Sequence, residues 1–278
     1  MIERDRSAEA SRREESPRLA RTSGDRHRPV KSSERTLEIL EALAASNERR
    51  SLSELARMLG VPKSSLHAIL RTMLDRGWVE ADPSGSRFGL GVQALYVGTA
   101  YTDTDDVVSL AEGALDWLVE RLDETVHLGR LEGTDVVYLA KRESSHHLRM
   151  FSAVGRRLPA HTTALGKALL AALPGDQLAE RLPESLTALT PHTLTDFDAL
   201  CRDLDRTRRR GYAVDNEEST EGIGCIAVTV PTGEPPRNAI SCSVPTVRLK
   251  PEQRKVIVDH LLEARERLAV RFRPLRGA

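Results

Sequence analysis

The chain of 278 residues carries 41 Lys and Arg against 41 Asp and Glu, so no global positive field marks it as a nucleic-acid binder. Any DNA footprint must be a local patch of cations. Hydrophobic content of 40% with 29% charge indicates a globular protein long enough for two domains, and 4% aromatics argue against base stacking as the main recognition mode.

Residues 1 to 30 mix Arg, Glu, Ser and Pro with hardly an apolar side chain, and are expected to form a disordered tail. From Ser32 a helix begins, with Leu37, Leu40, Leu43 and Ala44 as its apolar face. Ser51 to Met73 then reads as two short amphipathic helices around a tight turn. Ser51 and Glu54 form a capping-box start, Gly60 is a natural stop, and Pro62 suits the first turn of the next helix. That second helix turns Leu66, Ile69, Leu70, Met73 and Leu74 inward and offers Lys63, Ser64, Ser65, His67 and Arg71 outward. Small polar and basic residues at the start of the second helix of such a pair are what a helix-turn-helix presents to a major groove. Trp78-Val79 and Arg87 to Leu90, on either side of an Asp82 to Gly85 turn, add a hairpin, which makes the unit a winged helix. Arg87 is expected near the wing tip, against the DNA backbone. The domain so defined spans residues 31–91, and a linker helix, 92–105, follows with Leu95, Tyr96 and Val97 available to a second subunit.

Residues 106–273 alternate between α and β patterns. A helix leads into a hairpin at 125–144, a third strand is expected over 147–155, and small-residue and charged helices follow. Three strands at 211–218, 224–231 and 238–245 and a last helix from Pro251 to Phe272 complete an α+β domain with an antiparallel sheet. Within it, Pro159, His161 and Thr162 precede a helix whose first turn is small, an arrangement that admits either an anion or a tight backbone contact. Asp215, Glu217 and Glu218 follow one strand, with the acidic group expected in a solvated loop. Cys225 lies in the next strand, and Ser241 and Ser243 share a face of the last. An enzyme with Cys225 as nucleophile, His161 as base and Asp215 as orienter is the alternative by residue type, although nothing in the spacing demands it. A ligand-binding module whose winged helix serves protein contacts is another.

The three cysteines lack any C-x-x-C spacing, and no phosphate loop or metal-ligand motif is present, so no metal or cofactor is expected. No apolar run approaches the roughly 20 residues of a membrane span, and the N-terminus lacks the apolar centre of a secretory signal. A cytoplasmic protein without a membrane partner is expected.

Taken together, SLSELARMLGVPKSSLHAILRTMLDRGWVE, LPAHTTALGKALLA, RGYAVDNEESTEGIGCIAVTVP and AISCSVP resemble the IclR family of bacterial transcriptional regulators over about residues 30 to 272. The resemblance implies an operator-binding regulator, more often a repressor, that assembles as a dimer or a dimer of dimers. It also implies a GAF-like effector-binding domain for a small organic acid or catabolic intermediate. Carried over by position, the effector pocket involves Ala164, Leu165, Asp215, Cys225, Ser241 and Ser243, with Met150 as an apolar wall. Leu165 stands where the family often has a smaller residue, which narrows the pocket.

Overall fold

The computed structural model describes residues 30–272 apart from Asn47 and Phe151, so the tail expected before residue 30 lies outside it. Contacts divide the chain into two units, Met1–Val97 and Gly98–Ala278.

In the first unit, α1 (Lys31–Ala44), β1 (Arg50–Ser51), α2 (Leu52–Leu59), α3 (Lys63–Asp75), β2 (Val79–Ala81) and β3 (Arg87–Leu90) follow in order. Ser51 caps α2 as its spacing predicts: its hydroxyl accepts from the Glu54 amide while the Glu54 carboxylate accepts from the Ser51 amide. Gly60 ends α2 in the left-handed region, φ +64°, and Pro62 sits one position ahead of α3. Leu66, Leu70 and Met73 of α3 are buried with Leu55, Ile39, Leu43 and Val79 in one core. The inward face of α1 is Ile39, Ala42 and Leu43; Leu37, expected there, is 60% exposed, because it lies well round the helix from Ile39 and Leu43. The wing is a three-stranded sheet rather than a bare hairpin, since β1 pairs with β3 beside β2. Two residues are too short for an alternating pattern to reveal such a strand. The linker helix α4 (Val92–Asp103) buries none of its residues.

The second unit begins with α5 (Asp106–Leu122) and continues as β4 (Thr125–Glu132), β5 (Asp135–Arg142), β6 (Arg157–Pro159), a 3-10 turn at Ala160–Thr162, α6 (Ala164–Ala172), α7 (Gly175–Arg181), α8 (Phe197–Arg210), β7 (Ala213–Asn216), β8 (Ile223–Val230), β9 (Asn238–Pro245) and α9 (Pro251–Phe272). The strand expected over 147–155 is not formed in the described residues there; the third strand is β6, which pairs with only the start of β5. The polar run Glu143 to Arg149 is satisfied locally instead, with the Ser145 amide and hydroxyl donating to Asp123.

The sheet is antiparallel throughout in the order β6-β5-β4-β9-β8-β7 and is covered on both faces. On one face Val126, Leu128, Ile226, Ile240, Cys242 and Val244 pack with α5 and α9. On the other, Tyr138, Cys225, Ala227 and Ala239 pack under α6, α7 and α8. Gly166 lets α6 sit tightly on the 3-10 turn, because a Cβ there would overlap the Ala160 carbonyl. No helix among the described residues is long and apolar enough to cross a membrane.

Candidate DNA-recognition helix and effector site

Ser64, His67 and Arg71 form an exposed polar stripe along α3 away from its buried Leu66, Leu70 and Met73, with Lys63 exposed in the first turn and Ser65 half-buried on the other side of the stripe. This is the face required of a helix inserted in a major groove. Arg87 opens β3 on the turn side of the hairpin, where its amide donates to Asp82. Its guanidinium donates to the Arg49 carbonyl at 2.8 Å and lies 4.0 Å from Glu54. The wing tip is organised by Asp82, whose carboxylate accepts from the Ser84 hydroxyl and the amides of Ser86 and Arg87. Those donors hold its carboxyl below the usual carboxylate range.

In the second unit the register brings the expected pocket residues together. Cys225 faces Ser243 across β8 and β9 and Asp215 across β8 and β7. The Cys225 thiol donates to the Ser243 hydroxyl at 3.2 Å. Ser241, Ser243 and Asp215 are each no more than 2% exposed. Met150, Ala164 and Leu165 belong to the same apolar cluster as Cys225, so all seven positions share one side of the sheet. Leu165 is accommodated by Gly129 on β4: a Cβ there would stand 2.9 Å from Leu165 and 2.8 Å from Val136. The larger side chain thus fills space that a side chain on the strand would otherwise take.

Three buried polar residues of this unit, His127, Lys167 and Asp203, escaped the reading of the sequence. His127 is fully buried on β4 opposite Ser241, stacks on Tyr138, and shares a 2.7 Å hydrogen bond with Ser152. Burial, then the Lys141 ammonium and the Arg156 guanidinium, push its pKa down to about 4, so the imidazole is neutral. The His127 signal was present in the alternation of β4: if Val126 and Leu128 face one core, His127 faces the other.

The acidic stretch is not a solvated loop. Glu218 is 5% exposed, and its carboxylate meets Lys167 of α6 at 2.6 Å while Asp203 of α8 meets the same ammonium at 2.8 Å. Burial raises the Glu218 pKa more than Lys167 lowers it. For Asp203, burial is outweighed by Lys167, Arg206 and Arg210, which hold it low. Among the described residues, Glu218 Oε2 makes no hydrogen bond. Asp215 accepts from the Glu218 amide and the Ser219 hydroxyl, yet burial pushes its pKa up to about 6.

The thiol-enzyme alternative gains nothing from this geometry. Burial, then Asp215, raises the Cys225 thiol well above its ordinary value, away from the thiolate a nucleophile needs. The imidazole of His161 is engaged with the Thr187 carbonyl at 3.0 Å. Among the described residues no group of three His, Cys, Asp or Glu is placed to hold a metal ion. Cavities of about 370 and 480 Å³ open elsewhere in the unit, beside α5 and β5 and at the start of α9; neither is lined by Cys225, Ser241 or Ser243.

A winged helix with a polar recognition face, joined in one chain to a sheet domain with a buried polar cluster, is the architecture of a ligand-responsive DNA-binding regulator. Residues 32–83 match the IclR helix-turn-helix domain, and residues 99–270 match the bacterial transcriptional regulator IclR C-terminal domain. The chain is 35% identical to the HTH-type transcriptional regulator BhcR of Paracoccus denitrificans, over 90% of both chains. It is 34% identical to the transcriptional repressor IclR of Escherichia coli, over 79% of this chain and 82% of that one. An IclR transcriptional regulator from Alicyclobacillus acidocaldarius has a similar fold, with a TM-score of 0.77 and 27% identity over 88% of this chain and 99% of the other. The protein belongs to the IclR family: it is a DNA-binding transcriptional regulator with a C-terminal effector-binding domain.

Proposed function

We propose that the protein is a cytoplasmic repressor that binds its operator through α3 as a dimer or dimer of dimers and leaves it when a small organic acid occupies the second unit. In this reading Lys63, Ser64, Ser65 and His67 face bases or phosphates, and Arg71 contacts the backbone. Arg87 contacts it from the wing, near its tip. Met150, Ala164, Leu165, Asp215, Cys225, Ser241 and Ser243 form the effector site. The observation that carries the proposal is the convergence of Cys225, Ser241, Ser243 and Asp215 on one buried sheet face. Four polar side chains collected in a core otherwise built of Leu, Ala and Met are explained by a polar guest.

The test is fluorescence anisotropy on the DNA upstream of the protein's own gene, against shuffled DNA of equal length at one fixed salt concentration. A preference of about a thousandfold or more is expected of a specific regulator. Ser65→Glu should abolish operator binding; retained affinity would remove that residue from the interface. With a panel of small carboxylic acids as competitors, Ser241→Ala should blunt release while leaving operator affinity nearly unchanged. A full response would sink the pocket assignment.

A further inference from the structure

His127 occupies the middle of the proposed effector face. Its ring stacks on Tyr138 with centroids 4.9 Å apart, its Nε2 lies 2.7 Å from the Ser152 hydroxyl, and its Nδ1 lies 3.5 Å from the Ser243 hydroxyl. Ser243 in turn accepts the Cys225 thiol. One polar chain therefore runs from β8 through β9 and β4 to Ser152. Three members of this chain stand on paired strands. Ser152 does not: it belongs to the irregular connection between β5 and β6, yet it is only 2% exposed. A second contact holds it, the Lys141 ammonium donating to the Ser152 carbonyl at 2.6 Å. A buried imidazole needs a partner for each ring nitrogen, and here one partner comes from a residue without ladder hydrogen bonds to fix it.

We propose that Ser152 is a built-in occupant of the effector site: its hydroxyl holds the place on His127 Nε2 that the effector's polar group takes. Effector entry and Ser152 departure are then one event, and His127 is the residue that reads the effector's hydrogen-bonding group. An uncharged imidazole suits that task, since either tautomer leaves one nitrogen to donate and the other to accept. The internal occupant also weakens apparent effector affinity, since the apparent Kd rises in inverse proportion to the fraction of molecules in which Ser152 has left its place. This inference rests on the pocket reading above.

Cys225 supplies a readout that needs no effector. The rate of its modification by methyl methanethiosulfonate is measured in the full-length protein, resolved by peptide mass spectrometry. Half-buried Cys201 calibrates the reagent, and Cys242, buried on the opposite face, reports general loosening. Ser152→Ala and Lys141→Met should each speed Cys225 modification about fivefold, the effect of losing one buried hydrogen bond, with Cys242 unchanged. Ser152→Thr, which keeps the hydroxyl, should retain the wild-type rate. The proposal is overturned by an unchanged Cys225 rate in both variants, by equal acceleration of Cys225 and Cys242, or by Ser152→Thr behaving as Ser152→Ala. Labelling reads the Ser152 contact alone and the effector response of Ser241→Ala reads the pocket, so the two can fail separately.

Discussion

Asp215 keeps two hydrogen-bond donors and is still driven by burial to a pKa of about 6, against 3.8 for an ordinary aspartate. A carboxyl whose folded value is raised favours the folded state fully below the unfolded value, and that contribution is lost as pH rises through the folded one. Between about pH 4 and 6 this residue therefore makes the second unit less stable with rising pH. Asp215→Asn removes that dependence, so its stability relative to wild type should be better at pH 7.5 than at pH 4.5 by about 1–3 kcal/mol, as read by urea denaturation. Lys167 works the other way, neutralising two carboxylates that burial would otherwise leave exposed to each other. Lys167→Met should lose about 3–5 kcal/mol, because removing one partner leaves uncompensated charge in the core; a loss below about 1 kcal/mol by the same denaturation would show the cluster to be solvated. Cys225, Ser241 and Ser243 were legible as a group because alternation in a strand fixes which residues share a face. His127 and Lys167 were not, since a polar residue in an amphipathic pattern reads as solvent-facing. A sheet covered on both sides reverses that meaning.

Capping chemistry and turn glycines placed α2, α3, β9 and α9 within a residue or two of where the sequence put them, since each carries a local signal: Ser51 with Glu54, Gly60, Pro251. The interval after β5 carries none, and the alternation in HLRMFSAVG has no neighbouring strand to pair with along most of its length. Packing between elements is legible only in three dimensions, and Leu165 over Gly129 is the case in point. Gly129→Ala should cost about 1–3 kcal/mol by overpacking, whereas in a Leu165→Ala background it should cost distinctly less. A double-mutant cycle by thermal denaturation measures the difference, and strict additivity would mean that the two residues do not share the space.

Among the described residues, α4 carries a run of exposed apolar side chains, with Val92, Leu95 and Tyr96 each about two-thirds exposed. A helix apolar over so much of its surface is suited to a second copy of itself. Val92→Glu with Leu95→Glu should shift the protein towards monomer in sedimentation velocity and weaken operator binding at least tenfold, because two half-sites would no longer be engaged together; a variant that stays dimeric would move the subunit contact elsewhere.

The sheet joins its earliest and latest strands at its centre. His127 on β4 pairs with Ser241 on β9, and every strand beyond β9 in the order hangs from that seam. A ribosome making the chain therefore releases the first hairpin long before its central neighbour exists, and meanwhile Val126 and Leu128 lack β9 beside them and α9 over them. The winged-helix unit, whose last strand ends at Leu90, is made before any strand of that sheet. A growing chain of this design therefore carries its reader of DNA well before the face that would hear a ligand is assembled.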